Sequence, residues 1–170
     1  DQWMRYSDPS APVDKLNPDP SASLNVALKF VNRHGGWNGD FILDDVIEDP
    51  YMATETFLFR QYYAPLANQT ALPIIASRDG LFGYIEVTVQ QGMVTNYERS
   101  LLSLEPQPAA VTEILLPGGE ELQAMLDKSG DRGTVEDVFI GYYPVIAEEE
   151  VELIPKWVAK MGEGEYQFLE

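Results

Sequence analysis

The sequence predicts an α+β protein of two units, each with one helix packed on an antiparallel sheet. Three observations support this prediction. Two amphipathic helical segments each end at a glycine, and most of the remaining chain shows the period-two apolar pattern of strands. A tyrosine pair also recurs, in QYYAPLA (61–67) and GYYPVIA (141–147). We therefore interpret the chain as one helix-and-sheet pattern that occurs twice.

Composition predicts where the units begin and end. Residues 1–22 are predicted to be a linker or terminal arm, because SDPSAPVDKLNPDPSAS is rich in proline and small polar residues. DQWMRY, at the start of this arm, is compatible with a strand. The first unit is predicted at 23–104 and the second at 117–170. A proline-containing connection at 105–116 joins them, with a possible short strand in VTEILL.

The first helix is predicted over SLNVALKFVNRHGG, with Ser23 as its N-terminal cap. Apolar residues at helical spacing form its buried stripe: Leu24, Ala27, Leu28 and Val31. Gly35 is predicted to end the helix in the left-handed conformation. His34 would then lie in the last turn, next to the negative end of the helix dipole.

A β-hairpin is predicted over 83–99. GYIEVTVQ alternates, so that one face carries Ile85, Val87 and Val89 and the other carries Tyr84, Glu86, Thr88 and Gln90. Gln91-Gly92 supplies a two-residue turn, and MVTNYER returns antiparallel. TETFLFRQYY is a further predicted strand, and ALPIIAS a short one.

The second unit is predicted to begin with the helix GGEELQAMLDKSG. Glu120 and Glu121 lie in its first turn and Lys128 in its last, which suits the helix dipole at both ends. Strands are predicted in VEDVFIGYYPVI, VELIPKWVAKM and EYQFLE, with a turn at 162–164 before the last.

Charge and cysteine content exclude several classes of function. Lys and Arg number 11 against 28 Asp and Glu, which gives a net charge of −17. Such a surface repels phosphate backbones, so we expect no nucleic-acid partner. The absence of cysteine excludes disulfides, thiol catalysis and cysteine-ligated zinc.

No apolar run approaches the roughly 18 residues that cross a bilayer. The chain begins at Asp1, and we interpret it as a fragment of a longer protein.

His34 and Trp37 lie in FVNRHGGWNGDF, a segment whose histidine, glycines and tryptophan resemble those that line an active site. His34 is the single histidine, and there is no cysteine, HExxH or GxSxG pattern to complete a zinc site or a nucleophilic triad. We therefore interpret His34 as a helix-end residue and Trp37 as a packing aromatic over that end. No catalytic, metal-binding or cofactor-binding residue is predicted.

Acidic residues offer a second possible chemistry. Glu86 and Glu98 are predicted to approach each other on adjacent strands, as a pair of acids in a glycosidase would. Both are expected on a solvated face, which makes an acid-pair hydrolase the weaker interpretation. DFILDDVIED and AEEEVE lack the ligand order of an EF-hand loop, and no phosphate-binding loop is present.

Two tyrosine pairs are candidates for a protein-binding surface. In Tyr62-Tyr63 and Tyr142-Tyr143, one ring is expected in the core and the other outside. Exposed tyrosines are frequent at protein contacts, but we favour cross-strand pairing on a solvated sheet as the explanation of these residues. No residue can be assigned to a partner from this pattern.

Several segments together resemble the C-terminal part of the YycH/YycI family. They are FVNRHGGW after the helix, FLFRQYY, GYIEVTVQQGMVTNYER, and the closing EDVFIGYYPV, LIPKWVA and GEYQF. The resemblance runs from about Leu24 onward, and its closing half is also similar to PepSY-type modules. It implies a non-enzymatic, YycI-like or PepSY-like α+β fold without a cofactor.

The resemblance also implies a role and a place. Members regulate the YycG (WalK) two-component sensor histidine kinase of Gram-positive bacteria, together with the related regulator YycI. They are anchored by an N-terminal transmembrane helix and act outside the membrane. The alternatives are an extracytoplasmic module that senses a peptide or wall fragment in a groove between the two units, and the acid-pair hydrolase.

Overall fold

A computed structural model describes residues 3–8, 20–76, 82–101, 104–105, 111–129, 134–147 and 150–170. In chain order, these residues form β1 (Trp3–Ser7), α1 (Pro20–Arg33), β2 (Asp40–Asp49), β3 (Thr54–Tyr63), β4 (Leu72–Pro73), β5 (Tyr84–Gln90), β6 (Met93–Ser100), α2 (Glu120–Ser129), β7 (Val135–Ala147), β8 (Glu150–Met161) and β9 (Tyr166–Phe168). A short 3₁₀ helix, Gly162–Gly164, precedes β9. The predicted α+β class is confirmed, and neighbouring strands in the orders β1-β6-β5-β3-β2 and β7-β8-β9 are antiparallel.

The chain divides into two compact units. One comprises Asp1–Tyr62 and Ala76–Glu105, and the other Tyr63–Ile75 and Pro106–Glu170. This division differs from the predicted ranges, because 63–75 belongs with the second unit although, along the chain, it begins at the last residue of β3 and precedes β5. A local strand pattern carries no information about which distant segment that strand packs against.

The first unit contains a sheet with the strand order β1-β6-β5-β3-β2. Helix α1 packs on β5 and β6. The apolar side chains between helix and sheet are almost completely buried: Ala27, Val31, Phe57, Phe59, Ile85, Val87, Val89, Val94 and Tyr97. Full burial of the valine, isoleucine and phenylalanine side chains contributes about 1.5–3 kcal/mol each. This cluster therefore contributes substantially to the stability of the first unit.

Strand β1 changes the prediction for the N-terminal arm. Trp3–Ser7 pairs antiparallel with β6, so this segment is an edge strand of the first sheet. The rest of the predicted arm, residues 9–19, lies outside the described residues. The pattern DQWMRY was compatible with a strand, but its partner lies more than ninety residues away along the chain.

Helix α1 begins earlier than predicted. It starts at Pro20, so Ser23 is buried within the first turn and is not the N-terminal cap. Proline suits the first helical turn, because the backbone N–H that it lacks would have no intrahelical acceptor there. Proline at 20 is thus a helix start, where the composition of the arm predicted a linker.

The C-terminus of α1 is as predicted. Gly35 has a φ of 106°, and the N–H of Gly36 donates to the carbonyl oxygen of Val31 at 2.9 Å. This six-to-one hydrogen bond is the Schellman closure, which needs a residue of positive φ just after the helix. The glycines at 35 and 36 therefore terminate the helix and turn the chain toward β2.

The predicted hairpin is confirmed as β5 and β6. Gln91 and Gly92 both have positive φ, 50° and 77°, which is the conformation of a type I′ turn. The inward residues of β5 are as predicted, with Ile85 and Val87 completely buried. The outward prediction was wrong for Tyr84 and Gln90, which are 5% and 8% exposed. Tyr84 lies under the guanidinium of Arg60, and Gln90 Nε2 donates to the carbonyl oxygen of Met52.

The second unit contains a sheet with the order β7-β8-β9. Its buried cluster consists of Ala159, Met161 and Leu169, and α2 packs against it through Leu122, Met125 and Leu126. The predicted strand in VTEILL was wrong, since residues 111–118 have no regular secondary structure. Instead, the indole N–H of Trp157 donates to the carbonyl oxygen of Pro117 at 2.7 Å, which holds the entry to α2.

Residues 72–75 join the second unit through a close backbone approach. Ile74 forms a parallel bridge with Tyr142, and the N–H of Ile75 donates to the carbonyl oxygen of Tyr142 at 2.9 Å. A Cβ at Gly141 would lie 2.8 Å from a side-chain carbon of Ile75. Glycine at this position is what allows the segment to pack so closely on β7.

Candidate functional site

Arg99 is a buried cation on the helix-facing side of the first sheet. It follows Tyr97 at the two-residue spacing of β6, so both side chains point toward α1. Arg99 is 3% exposed and Tyr97 is completely buried. A charged group in such a place requires hydrogen bonds that replace its lost hydration.

Neutral oxygens provide those hydrogen bonds. Nη1 of Arg99 donates to the carbonyl oxygen of Gly36 at 2.7 Å and to Oη of Tyr97 at 3.2 Å, and Nη2 donates to Oδ1 of Asn38 at 2.6 Å. In the part of the chain that the structure describes, no carboxylate forms an ion pair with Arg99. The guanidinium lies beside the C-terminal turn of α1, whose partial negative charge favours a cation.

Glycine at 35 makes room for this arrangement. A Cβ built at Gly35 would come within 2.9 Å of Nη1 of Arg99. Gly35 therefore serves twice, since it supplies the positive φ that ends the helix and leaves space for the guanidinium.

A groove of about 420 Å³ opens beside the guanidinium, lined by Met4, His34, Gly35, Asn38, Arg99 and Leu101. We call this the Arg99 groove. Its walls come from β1, from the loop after α1 and from the end of β6. Leu101 is 51% exposed at its rim. A buried positive charge bordered by apolar side chains suits a small anionic ligand with an apolar part.

Tyr97 is the second polar side chain on this face of β6, and it accepts a hydrogen bond from Arg99. Burial raises the pKa of the Tyr97 phenol above 10.0, while the hydrogen bond and the charge of Arg99 lower it by less. The phenol therefore remains protonated at neutral pH. Consequently it does not neutralise the charge of Arg99.

His34 was predicted in the last turn of α1, and it lies directly after the last helical residue, Arg33. Its ring is exposed and stacks on Phe30, with centroids 3.9 Å apart, and Nδ1 lies 2.9 Å from the carbonyl oxygen of Phe30. Trp37 packs on Phe59 with centroids 5.2 Å apart, and its indole N–H donates to Asn32. Both placements agree with the roles predicted for a helix end and its covering aromatic.

Glu86 and Glu98 do come together, as predicted, because they are directly opposed in the register of β5 and β6. Glu98 is not on a solvated face, however, since it is only 7% exposed. Its carboxylate forms an ion pair with Arg5, which is the residue opposite it on β1. One carboxylate of the pair is therefore engaged in a cross-strand contact with β1.

The tyrosine pairs differ from each other. Tyr142 is 8% exposed and Tyr143 is 40% exposed, which matches the predicted in-and-out arrangement. Tyr62 and Tyr63 are both of intermediate burial, so the first pair does not follow the prediction. Burial raises the pKa of Tyr142 and of Tyr63. Nζ of Lys156 lies 4.9 Å from the ring centre of Tyr143, so a cation covers the exposed ring.

Arg99 was the residue that sequence reasoning missed. A signal for it existed, because Arg99 occupies the same face of the return strand as Tyr97. An arginine at an inward-facing position is rarely buried without a specific partner. The helix-end residues that bond it lie more than sixty residues away along the chain.

The described residues contain no group of three or more His, Cys, Asp or Glu side chains that could hold a metal ion. No helix formed by them is long and apolar enough to span a bilayer.

Comparison with known proteins gives one family and one structure. The family described as "YycH protein, C-terminal domain" matches residues 1–167. The crystal structure of YycH from Bacillus subtilis is similar to this chain, with 20% sequence identity and a TM-score of 0.67. The match covers 99% of this chain and 39% of the Bacillus protein, so the chain spans well under half of that protein's length. No curated protein matches the chain.

Proposed function

Since the chain belongs to the family of YycH C-terminal domains, we propose that it is part of a non-enzymatic, extracytoplasmic regulator of a two-component sensor histidine kinase. Its partners would be a kinase of the YycG (WalK) type and a YycI-type regulator. The observation that carries the proposal is the family match over residues 1–167. The YycH family is regulatory and is associated with two-component systems.

The mode of action that we propose is protein–protein contact. Strand β2 is an edge of the first sheet, and it carries exposed apolar side chains at Ile42 and Ile47. Tyr51, in the turn after β2, is 88% exposed and Met52 is 56% exposed. Aromatic side chains and methionine are enriched at protein interfaces, which supports a binding role for this part of the surface.

Location and architecture belong to the same proposal. Membership of the YycH family suggests that this chain is a domain facing the outside of the cell. We propose that a membrane anchor elsewhere in the protein holds this domain beside the kinase. We further propose that each unit is a helix on an antiparallel sheet of the PepSY type. The shared strand order supports this, since β3-β5-β6 in the first sheet corresponds to β7-β8-β9 in the second.

Reconstitution with the kinase tests the proposal. The complete protein that contains this chain would be placed in vesicles with the sensor kinase, with and without the YycI-type regulator, and autophosphorylation would be followed with labelled ATP. We expect co-purification of the proteins and a changed rate of kinase labelling. Unchanged labelling together with no co-purification would contradict the proposal.

Matched variants locate the contact. Tyr51→Asp changes an exposed residue at the end of β2, and Leu115→Asp changes a 98% exposed residue in the second unit. If the β2 region binds a partner, Tyr51→Asp should weaken co-purification and Leu115→Asp should not. If both variants co-purify equally well with the partner, the contact lies on another surface.

A further inference from the structure

We propose that the Arg99 groove binds a free carboxylate group carried on a small apolar body. Two sources share this chemistry, namely a short-chain carboxylic acid and the C-terminus of a peptide. The inference concerns a ligand, and it does not depend on the regulatory role proposed above.

The buried charge of Arg99 favours an anionic ligand. Arg99 is 3% exposed, and its acceptors among the described residues are neutral oxygens of Gly36, Tyr97, Asn38 and Ser100. Buried charges are normally paired with an opposite charge, because hydrogen bonds to neutral groups replace hydration only in part. Across the described ranges, no carboxylate fills that role. An anion in the groove would supply the missing charge.

The guanidinium of Arg99 also has hydrogen-bond donor capacity for a ligand. Nη2 of Arg99 carries two N–H groups. Among the described residues, its acceptor is Oδ1 of Asn38, at 2.6 Å. The second N–H has no acceptor among these residues and can donate to a ligand in the groove. A carboxylate oxygen forms a shorter and stronger hydrogen bond with guanidinium than a neutral acceptor does.

The shape of the groove favours an apolar body on the ligand. Met4 and Leu101 line it beside the guanidinium, and its volume of about 420 Å³ is in the range of small-molecule sites. Gly35 has no side chain to fill the space next to Nη1 of Arg99. The net charge of −17 repels multiply charged anions at long range, so a monoanion is preferred over a polyphosphate.

Titration of the ¹⁵N-labelled chain with paired probes is the test. The probes are isovalerate and N-acetyl-alanyl-alanine, each compared with its neutral amide. We expect saturable shifts of the backbone amide signals of Gly35, Asn38 and Leu101. Each acid that binds should do so at least about tenfold more tightly than its amide, as expected for a charged hydrogen bond. Binding of one acid alone would identify the source, and it would still support the proposal.

A carboxylate introduced at the rim provides the decisive variant. Arg99 itself is buried, and its substitution risks unfolding, so Leu101→Glu is preferred because Leu101 is 51% exposed. The new carboxylate would compete for the guanidinium and weaken probe binding by about tenfold or more. Leu115→Glu makes the same change at a 98% exposed site, and it should leave the affinity unchanged.

Three results would overturn the inference. They are amides that bind as well as acids, an affinity that Leu101→Glu leaves unchanged, and the absence of saturable shifts for both acids at millimolar concentration.

Discussion

Nη1 of Arg99 and the carbonyl oxygen of Gly36 are 2.7 Å apart. This hydrogen bond links the last residues of β6 to the loop that ends α1, so helix and sheet are joined by a polar contact at one end of their apolar interface. The same arginine lines the groove that we assign to a carboxylate ligand. Arg99 therefore takes part both in the helix–sheet contact and in the proposed ligand site.

Gly35→Ala should destabilise the first unit. Gly35 has a φ of 106°, and an added Cβ would lie 2.9 Å from Nη1 of Arg99. We expect the free energy of unfolding, measured in urea, to fall by about 1–3 kcal/mol because backbone strain and displacement of the guanidinium act together. Gly118→Ala is the matched control, since nothing lies within 4 Å of its Cβ. Equal effects of the two substitutions would contradict the role given to Gly35.

Ile85→Ala should cost far more than Ile42→Ala. Ile85 is completely buried under α1, and Ile42 is 54% exposed on β2 of the same unit. Removal of buried methyl and methylene groups, with the cavity that they leave, lowers the free energy of unfolding by about 2–5 kcal/mol. The exposed site should lose no more than about 1 kcal/mol, the span of strand propensity. Similar losses at the two sites would show that the core does not lie where we place it.

Gly141→Ala should loosen the contact between β7 and residues 72–75. An added Cβ would lie 2.8 Å from a carbon of Ile75 and 3.2 Å from the carbonyl oxygen of Pro73. Overpacking of this kind costs about 1–3 kcal/mol. Amide hydrogen exchange at Ile75 reports the contact directly, because its N–H donates to Tyr142. Exchange there should accelerate in Gly141→Ala and remain unchanged in Gly162→Ala, which has open space at its Cβ.

Alkaline pH should expose the contribution of Tyr97. Burial raises its pKa above 10.0, so the folded chain holds the phenolic proton more tightly than the unfolded chain does. The associated stabilisation is present below pH 10 and is lost as pH rises through the higher folded pKa. We expect Tyr97→Phe to reduce the fall in the free energy of unfolding above about pH 10. Tyr51→Phe, at an 88% exposed site, serves as the control. An unchanged pH profile in Tyr97→Phe would argue against a buried phenol.

Local signals predicted much of the fold. The alternation in GYIEVTVQ and the turn at Gln91-Gly92 identified the hairpin, because strand period and turn conformation depend on neighbouring residues only. Gly35 identified the end of α1 for the same reason. Pro20 and VTEILL were misinterpreted. Proline is compatible with both a linker and a first helical turn, and an apolar run without a strand partner does not become a strand.

The candidate site was predictable only in part. His34 and Trp37 were placed at the helix end, and the opposition of Glu86 and Glu98 followed from the hairpin. The burial of Glu98 did not follow, because its partner Arg5 arrives on β1 from the opposite end of the unit's sequence. Arg99 could have been noticed as an inward-facing charge, but its acceptors could not be named from the strand alone.

The sequence by itself determined the α+β class, the end of α1, the β5–β6 hairpin and the resemblance to a regulatory family. These properties follow from periodicity, turn-forming residues and the order of motifs along the chain. Tertiary structure alone decided that β1 pairs with β6, that 72–75 packs on β7, and that Arg99 is buried beside a groove. The physical reason is that each of these depends on burial shared between distant segments, and the burial of a side chain is a property of what covers it.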